Sequence, residues 1–354
     1  MITASLASFC NAVEVTSEQI TEGHGVIWSI SEVTTDKLIF TTRSGEFKIL
    51  DLKTKKVDSV KTDLKVLAQG QGGLLDVKVH PNFKNNQKIY FTYSCQKEKS
   101  LNTTCLGFAK LDILKLSLTD AKEVFAVQPA VDSSLYYGSR LAWNDKNNLY
   151  MSTGDRYFKK GMAQSLQTYL GKVLKLTDDG KPAPGNPFTN IKDAKPEIFS
   201  YGHRNVQRLF YDKTSNVLWE TEHGAKGGDE INRIEAGKNY GWPIITHGVD
   251  YSGEKIGIGK EKAGLEQPEH FYVLSIAPSG LIVYSGNKYK QWMGHLFLGA
   301  LVLEHINQVE MATPPKETRF FTKLSERIRD ITETKSGDIY FSTDSGKIFK
   351  FVVK

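Results

Sequence analysis

Residues 25–50 read GVIWSISEVTTDKLIFTTRSGEFKIL. A short apolar run, rich in β-branched and aromatic residues, meets the polar turn TTDK. A second run follows and ends in threonine before the turn RSG. This is strand–turn–strand chemistry. The same pattern returns as GLLDVKVHPNFKNNQKIYFTYS from Gly73 and SRLAWNDKNNLYMSTGD from Ser139. It appears again as VQRLFYDKTSNVLWETEHG from Val206, SGLIVYSGNKYKQWMGHLFLGAL from Ser279 and RIRDITETKSGDIYFSTDSGKIFKFVV from Arg327. The hairpins recur every 45–75 residues or so, which suits the blade of a propeller. Six of them predict an all-β, six-bladed β-propeller. One blade cannot bury its faces alone, so neighbouring blades complete the core. A strand near NAVEVTSEQI, residues 11–20, is expected to pair beside GKIFKFVV and close the ring.

Composition agrees with a large globular fold. The chain has 354 residues, 40% hydrophobic and 24% charged. Length alone suggests two domains, but all-β units of this size fold as one. The expected layout is one propeller over residues 11–354 with an extension at 1–10. GMAQSLQTYLGKVLKL, from Gly161, is the one stretch that reads as opening with a helix, and Gly171 interrupts it. Two long insertions stand out: the proline-rich segment 181–197 and THGVDYSGEKIGIGKEKAGLEQPEH, from Thr246. Loops of this kind are expected to gather at one propeller end and carry binding residues.

The net charge of +6 is spread along the chain without a basic block, which argues against nucleic acid. No apolar run is long enough for a membrane span. The first residues lack the basic region of a secretory signal. Cys10 reads as an ordinary thiol. Cys95 and Cys105 flank a polar turn, and both unrelated thiols and a hairpin disulfide remain open.

Polar residues crowd the hairpin mouths. Gln71, Arg140 and Asp155 lie at three of them. His203, Arg204, Asn205 and Gln207 lie together in SYGHRNVQ. Glu222, Asp229, Glu230, Asn232 and Tyr240 follow, then Arg327 and Arg329. Singly, such residues cap turns or form surface pairs. At equivalent blade positions they would converge on the channel mouth. His203, His223 and His247 form no compact metal motif, and no strand–GxGxxG–helix unit suggests a nicotinamide site.

The ordered motifs GQGGLLDVKVHPNF, GSRLAW, SYGHRNVQ, EHGAKGGDEIN, GKNYGWP, APSGLIVYSG and RIRD resemble those of the soluble aldose and glucose dehydrogenases that use pyrroloquinoline quinone (PQQ), the glucose/sorbosone dehydrogenase family. The resemblance implies oxidation of a sugar's anomeric hydroxyl to a lactone. It implies PQQ above the channel, calcium, a small sugar substrate and an external electron acceptor. It also implies a periplasmic or secreted location, with the cytoplasm left open. By position, Gln71, Asn205, Gln207, Arg327 and Arg329 match cofactor contacts, and Arg204 lies near the reactive carbonyls. Glu230 and Tyr240 match a calcium site, Tyr240 through its backbone oxygen. The Gly224–Ala225 backbone matches carbonyls facing the cofactor calcium, where the family usually has Gly-Pro. His203 matches a packing position.

Two departures bear on activity. Counting back from Arg140, the family's catalytic histidine falls on Tyr136. A phenol, with a reference pKa of about 10 against about 6.5 for histidine, is a poor neutral-pH base. Asp155 matches the aspartate that orients that histidine; here it is left as a substitute base or a partner of Arg140 or Arg204. Val302 stands where the family commonly has a cofactor-binding lysine. Two alternatives therefore accompany the dehydrogenase: a non-catalytic calcium-binding propeller that binds a glycan or protein, and a calcium-dependent lactonase. Oligomeric state is not legible.

Overall fold

The computed structural model describes residues 14–354; the 1–10 extension, Cys10 and the start of the expected closing strand lie outside them. The chain enters with β1 (Val15–Thr21). Blade 1 is then β2–β5: Ile27–Thr34, Lys37–Thr42, Phe47–Asp51 and Val57–Val60. Blade 2 is β6–β9: Leu74–Val79, Lys88–Glu98, Leu101–Asp112 and Ser117–Ala126. Blade 3 is β10–β13: Gly138–Trp143, Leu149–Thr153, Lys172–Leu176 and Ile198–Tyr201. Blade 4 is β14–β17: Val206–Asp212, Val217–Glu222, Asp229–Ile234 and His270–Tyr272. Blade 5 is β18–β21: Pro278–Val283, Leu296–Ala300, Ile306–Glu310 and Lys316–Phe320. Blade 6 contains β22–β24: Ile328–Glu333, Ile339–Thr343 and Ile348–Val353. The fold is the expected six-bladed propeller, with six antiparallel four-stranded sheets.

β1 is the fourth strand of blade 6. It runs antiparallel to β24, with Val15 opposite Val353 and Gln19 opposite Phe349. The first described strand thus seals the last blade. Second strands such as Leu149–Thr153 and Ile339–Thr343 are buried at every position. They lie between blade faces, so the two-residue alternation of a half-exposed strand fades there. Cys95 and Cys105 form a buried disulfide between β7 and β8, their Cα atoms 6.0 Å apart.

Every innermost strand slips register near its start, at Ile27/Ser29, Leu74/Val77, Gly138/Leu141, Val206/Arg208, Pro278/Leu281 and Ile328/Asp330. A bulge turns a side chain out of the pleat. The corresponding residues are Ser29, Asp76, Arg140, Arg208, Gly280 and Asp330, and their polar members bond across blades. Asp76 accepts from the Ser29 hydroxyl at 2.6 Å and the Leu141 N–H at 2.7 Å. Asp330 pairs with Arg208 at 2.7 Å and Arg140 at 3.5 Å. A Cβ on Gly280 would collide with Asp330, which explains the missing side chain there. Arg140 stacks on Trp28, its guanidinium 3.9 Å from the ring centre. It is therefore part of the channel lock instead of the open mouth, contrary to the sequence expectation. Removing one partner leaves a buried charge uncompensated. Asp330→Asn is expected to cost about 3–5 kcal/mol in a denaturant melt.

The expected helix near Gly161 is instead a 3₁₀ turn, Lys160–Gln164. The carbonyls of Met162 and Ala163 accept from the buried Lys172 ammonium at 3.0 and 2.9 Å, and Leu170 adds a third bond at 2.6 Å. Those carbonyls serve the lysine in place of a continuing helix. The two insertions also part company. Residues 181–197 line none of the three cavities at the channel mouth, whereas residues of 246–256 line two of them.

Candidate functional site

The central cavity at the mouth encloses about 240 Å³. Gln71, Asn205, Gln207, Arg327 and Arg329 all line it, together with Trp28, Arg43 and Asp344. Arg329 grips Asp344 with two bonds, Nε at 2.7 Å and Nη2 at 2.9 Å, and Arg327 Nε adds a third at 3.0 Å. Burial pushes the Asp344 carboxyl up, but the two guanidiniums outweigh it and hold the pKa below the usual range. Arg327 also donates to the Leu301 carbonyl at 2.8 Å. Both arginines are thus held in place, with N–H groups left over for a ligand. Asn205 is buried and its Oδ1 has no partner, while Gln207 reaches only the Val206 carbonyl at 3.3 Å. A buried amide oxygen without a bond marks a place for a ligand donor or water.

Asp344 and Arg43 were not singled out from sequence. They occupy matching places in STDSG and TTRSG, so aligning the hairpins against each other is the signal that finds them.

A second cavity of about 290 Å³ adjoins the cradle and is lined by Tyr136, Asp155, Arg204, Tyr157, Trp242 and Tyr251, among others. Tyr136 has φ +51°, the left-handed region. Its carbonyl sits where a Cβ on Gly154 would be, so that glycine is what lets the two loops meet. The Tyr136 N–H donates to Gln71 Oε1 at 2.8 Å. Arg204 Nη2 donates to the Tyr136 hydroxyl at 2.8 Å, and its guanidinium lies 4.6 Å from that ring and 5.2 Å from Trp242. Burial raises the Tyr136 pKa despite Arg204, so the phenol stays protonated at neutral pH.

Asp155 does not form an ion pair with Arg140 or Arg204 among the described residues. Its Oδ2 accepts from the Trp242 indole N–H and its Oδ1 from the Tyr157 N–H, both at 2.7 Å. Burial raises its pKa above the ordinary aspartate range. Trp242, in GKNYGWP, thus positions Asp155, a link that sequence distance conceals.

The backbone at Gly224 is engaged by the protein itself. Arg204 Nη1 donates to the carbonyls of His223, at 3.0 Å, and of Gly224. The Gly224 oxygen keeps one lone pair. Ala225 packs in a small apolar cluster with Ala163, Trp242 and Ile256.

Below Arg204 lies a carboxylate cluster. Glu222 and Glu230 line a cavity of about 10 Å³, roughly the space of one water or ion, with Tyr240 beside them. Glu220 and Glu222 lie within ligand distance of His203. Asn232 donates to Glu220 at 2.9 Å and Glu230 at 3.1 Å. Burial and the neighbouring Glu222 push Glu230 up to about 8. The Glu220 Oε1 has no partner. Oxygen donors this dense, with one unbonded, fit a hard cation. The Tyr240 hydroxyl is turned away, bonded to the Arg233 carbonyl and the Glu235 N–H. His203 stacks on Tyr240 at 4.7 Å and bonds Ser200 at 2.8 Å, a packing and bonding role.

A family model described as Glucose / Sorbosone dehydrogenase matches residues 25–350. The aldose sugar dehydrogenase YliI of Escherichia coli is 37% identical over 294 residues, 80% of this chain and 78% of its own. The quinoprotein glucose dehydrogenase B of Acinetobacter calcoaceticus is 28% identical over 319 residues, 81% of this chain and 63% of its own. The crystal structure of the soluble aldose sugar dehydrogenase from Escherichia coli in the apo form superposes with a TM-score of 0.91 at 34% identity, covering 96% of this chain and 99% of that one.

Proposed function

The chain belongs to the glucose/sorbosone dehydrogenase family, and on that premise we propose that it is a PQQ-dependent oxidoreductase converting the anomeric hydroxyl of an aldose to a lactone. The observation that carries this is the cradle, where Arg327 and Arg329 are fixed on Asp344 beside the unbonded Asn205 oxygen. Guanidinium forks suit a planar tricarboxylate. Arg43, Gln71 and Gln207 would complete the holding set. When bound, the quinone would supply the two-electron acceptor for hydride from the sugar.

The chain's own residues divide the remaining work. Tyr136 stays protonated, so it suits donating a hydrogen bond to a sugar oxygen better than removing a proton. Asp155 is the better proton acceptor. Trp242 and Tyr157 fix it, and each of its oxygens keeps further lone-pair capacity. Arg204 sets a permanent positive charge beside both groups and favours charge developing on oxygen. Glu222, Glu230 and the Tyr240 backbone oxygen would hold calcium beneath Arg204, and the Gly224 and Ala225 carbonyls a second calcium at the cofactor. The Cys95–Cys105 disulfide supports an oxidising compartment, periplasmic or extracellular. Among the described residues no helix is long and apolar enough to cross a membrane.

Tyr136 and Val302 favour a second reading, a calcium-bearing propeller that binds a glycan or protein without turnover. One experiment separates the two. Metal-stripped, calcium-reloaded protein is titrated with PQQ by calorimetry, then assayed for dye reduction across an aldose panel. Stoichiometric binding with dye reduction is expected. Folded protein that binds no quinone at high micromolar concentration makes the binding propeller the better account.

A further inference from the structure

The channel lock has two sides. Gly138, Gln207 and Arg329 lie on its cradle side, while the far ends of the same three strands help enclose a separate cavity of about 180 Å³. Strands of blades 2 to 6 wall this far vestibule: Lys78 from β6, Trp143 from β10, Arg208 and Phe210 from β14, Ile282 from β18 and Thr332 from β22. It shares no lining residue with the cradle, the Tyr136–Asp155 pocket or the carboxylate-lined cavity beneath Arg204.

Its charge does not balance. Lys78, Arg140 and Arg208 stand against Asp76 and Asp330, so one positive charge is left over. Lys78 is the poorly matched cation. Its side chain is only 15% exposed, its ammonium stops 3.8 Å from Asp76 Oδ1, and it makes no hydrogen bond among the described residues. Burial and the neighbouring Arg208 pull its pKa down to about 8, against the opposing effect of Asp76 and Asp330. Arg208 commits three of its five N–H groups, to Asp330 at 2.7 Å and to the carbonyls of Leu281 and Ile331 at 3.1 and 3.4 Å. Glu333, at the rim, accepts from the N–H of Ser285 at 2.9 Å and from its hydroxyl, and forms no ion pair with Lys78. A largely buried ammonium without a bonded partner calls for an anion.

The shape narrows the choice. Leu141, Ala142, Phe210 and Ile282 make much of the wall apolar. The space is far larger than the roughly 10 Å³ beneath Arg204, so it admits a molecule and not only an ion. Glu333 at the rim disfavours a second negative charge.

We propose that the far vestibule binds a small monocarboxylate, its carboxylate on Lys78 and Arg208 and its short apolar body against Phe210 and Ile282. The site lies across the lock from the chemistry and does not depend on the sugar-oxidising reading.

The calcium-loaded protein is titrated by calorimetry with sodium acetate, propionate and butyrate, and with sodium chloride, phosphate and succinate at matched ionic strength. The dissociation constant should fall by about threefold per added methylene, and butyrate should bind tighter than chloride, phosphate or succinate. Lys78→Met should weaken butyrate binding by about tenfold or more, and Thr332→Val, nearly isosteric, by about threefold. PQQ binding should be unchanged in both variants. If Lys78→Met lowers the melting temperature, Thr332→Val decides. No carboxylate binding, equal affinity for acetate and butyrate, or chloride or phosphate binding as tightly as butyrate overturns the proposal. So does butyrate binding that survives both substitutions, or a parallel loss of PQQ binding in Thr332→Val.

Discussion

From the sixth blade round to the second, the mouth is walled by Arg327, Arg329, Arg43 and Gln71, with Asp344 holding two of the arginines. From the third blade to the fifth, it is walled by Tyr136, Trp242, Tyr251, Leu274 and Val302. The first arc fixes charge, using a buried carboxylate to aim guanidiniums at the cavity. The second is mostly apolar and leaves one buried carboxylate, Asp155, with unused acceptor capacity. The arcs differ in what a substitution should do. Changes in the first should move ligand affinity, and changes in the second should move turnover.

The sharpest break would come at Asp155. Asp155→Asn keeps the Oδ acceptor for Trp242 but removes the base, and turnover should drop by about 10²- to 10⁴-fold. Quinone binding by calorimetry should stay the same. The pH profile carries the same information. Burial raises the Asp155 pKa, and a base works only when ionised. Turnover by the unaltered protein should therefore rise with pH along a limb lying above the ordinary aspartate value of about 3.9. A limb at or below that value would exclude Asp155.

Tyr136→His tests the second arc from the opposite side. An imidazole at this place, oriented by Asp155, should raise turnover by about 10²-fold and move the acid limb towards about 6.5. Unchanged turnover would mean that the tyrosine is no handicap. The smallest effect belongs to the first arc. Asp344→Ala frees both arginines and should weaken quinone binding by about tenfold to a hundredfold, with turnover at saturating quinone nearly unchanged. A loss of turnover without a loss of affinity would erase the distinction between the arcs.

The propeller itself was legible because six hairpins repeat the same residue chemistry, and a partner for β24 was expected because the last blade of a closed ring needs a fourth strand. The cradle was half legible. Arg327, Arg329, Asn205 and Gln207 sit at hairpin starts, where topology brings them together. Asp344 was hidden because aspartate in a tight turn ordinarily caps its own backbone. Antiparallel pairing of β22 with β23, Ile328 opposite Thr343, sets it against the arginines at the start of β22. The Trp242–Asp155 bond joins the long fourth-blade loop to the third blade, and a one-dimensional pattern carries no trace of that. Arg140 was misplaced for another reason. A one-residue bulge reverses which way a strand residue faces, and period-two patterning cannot register a slip of one.

Closure by β1 has a consequence for how the molecule is made. The first described strand pairs only with the last described one, Lys354 N–H reaching the Glu14 carbonyl at 3.0 Å. Until β24 has been made, blade 6 is short of an edge and β1 is an unpaired ribbon. Contacts this distant in sequence form slowly, and open edges invite pairing with other chains. Vectorial synthesis therefore leaves the nascent ring open to aggregation until β24 appears. Because Glu14 and Lys354 are neighbours, a linker could join them and a new start could be cut between two blades.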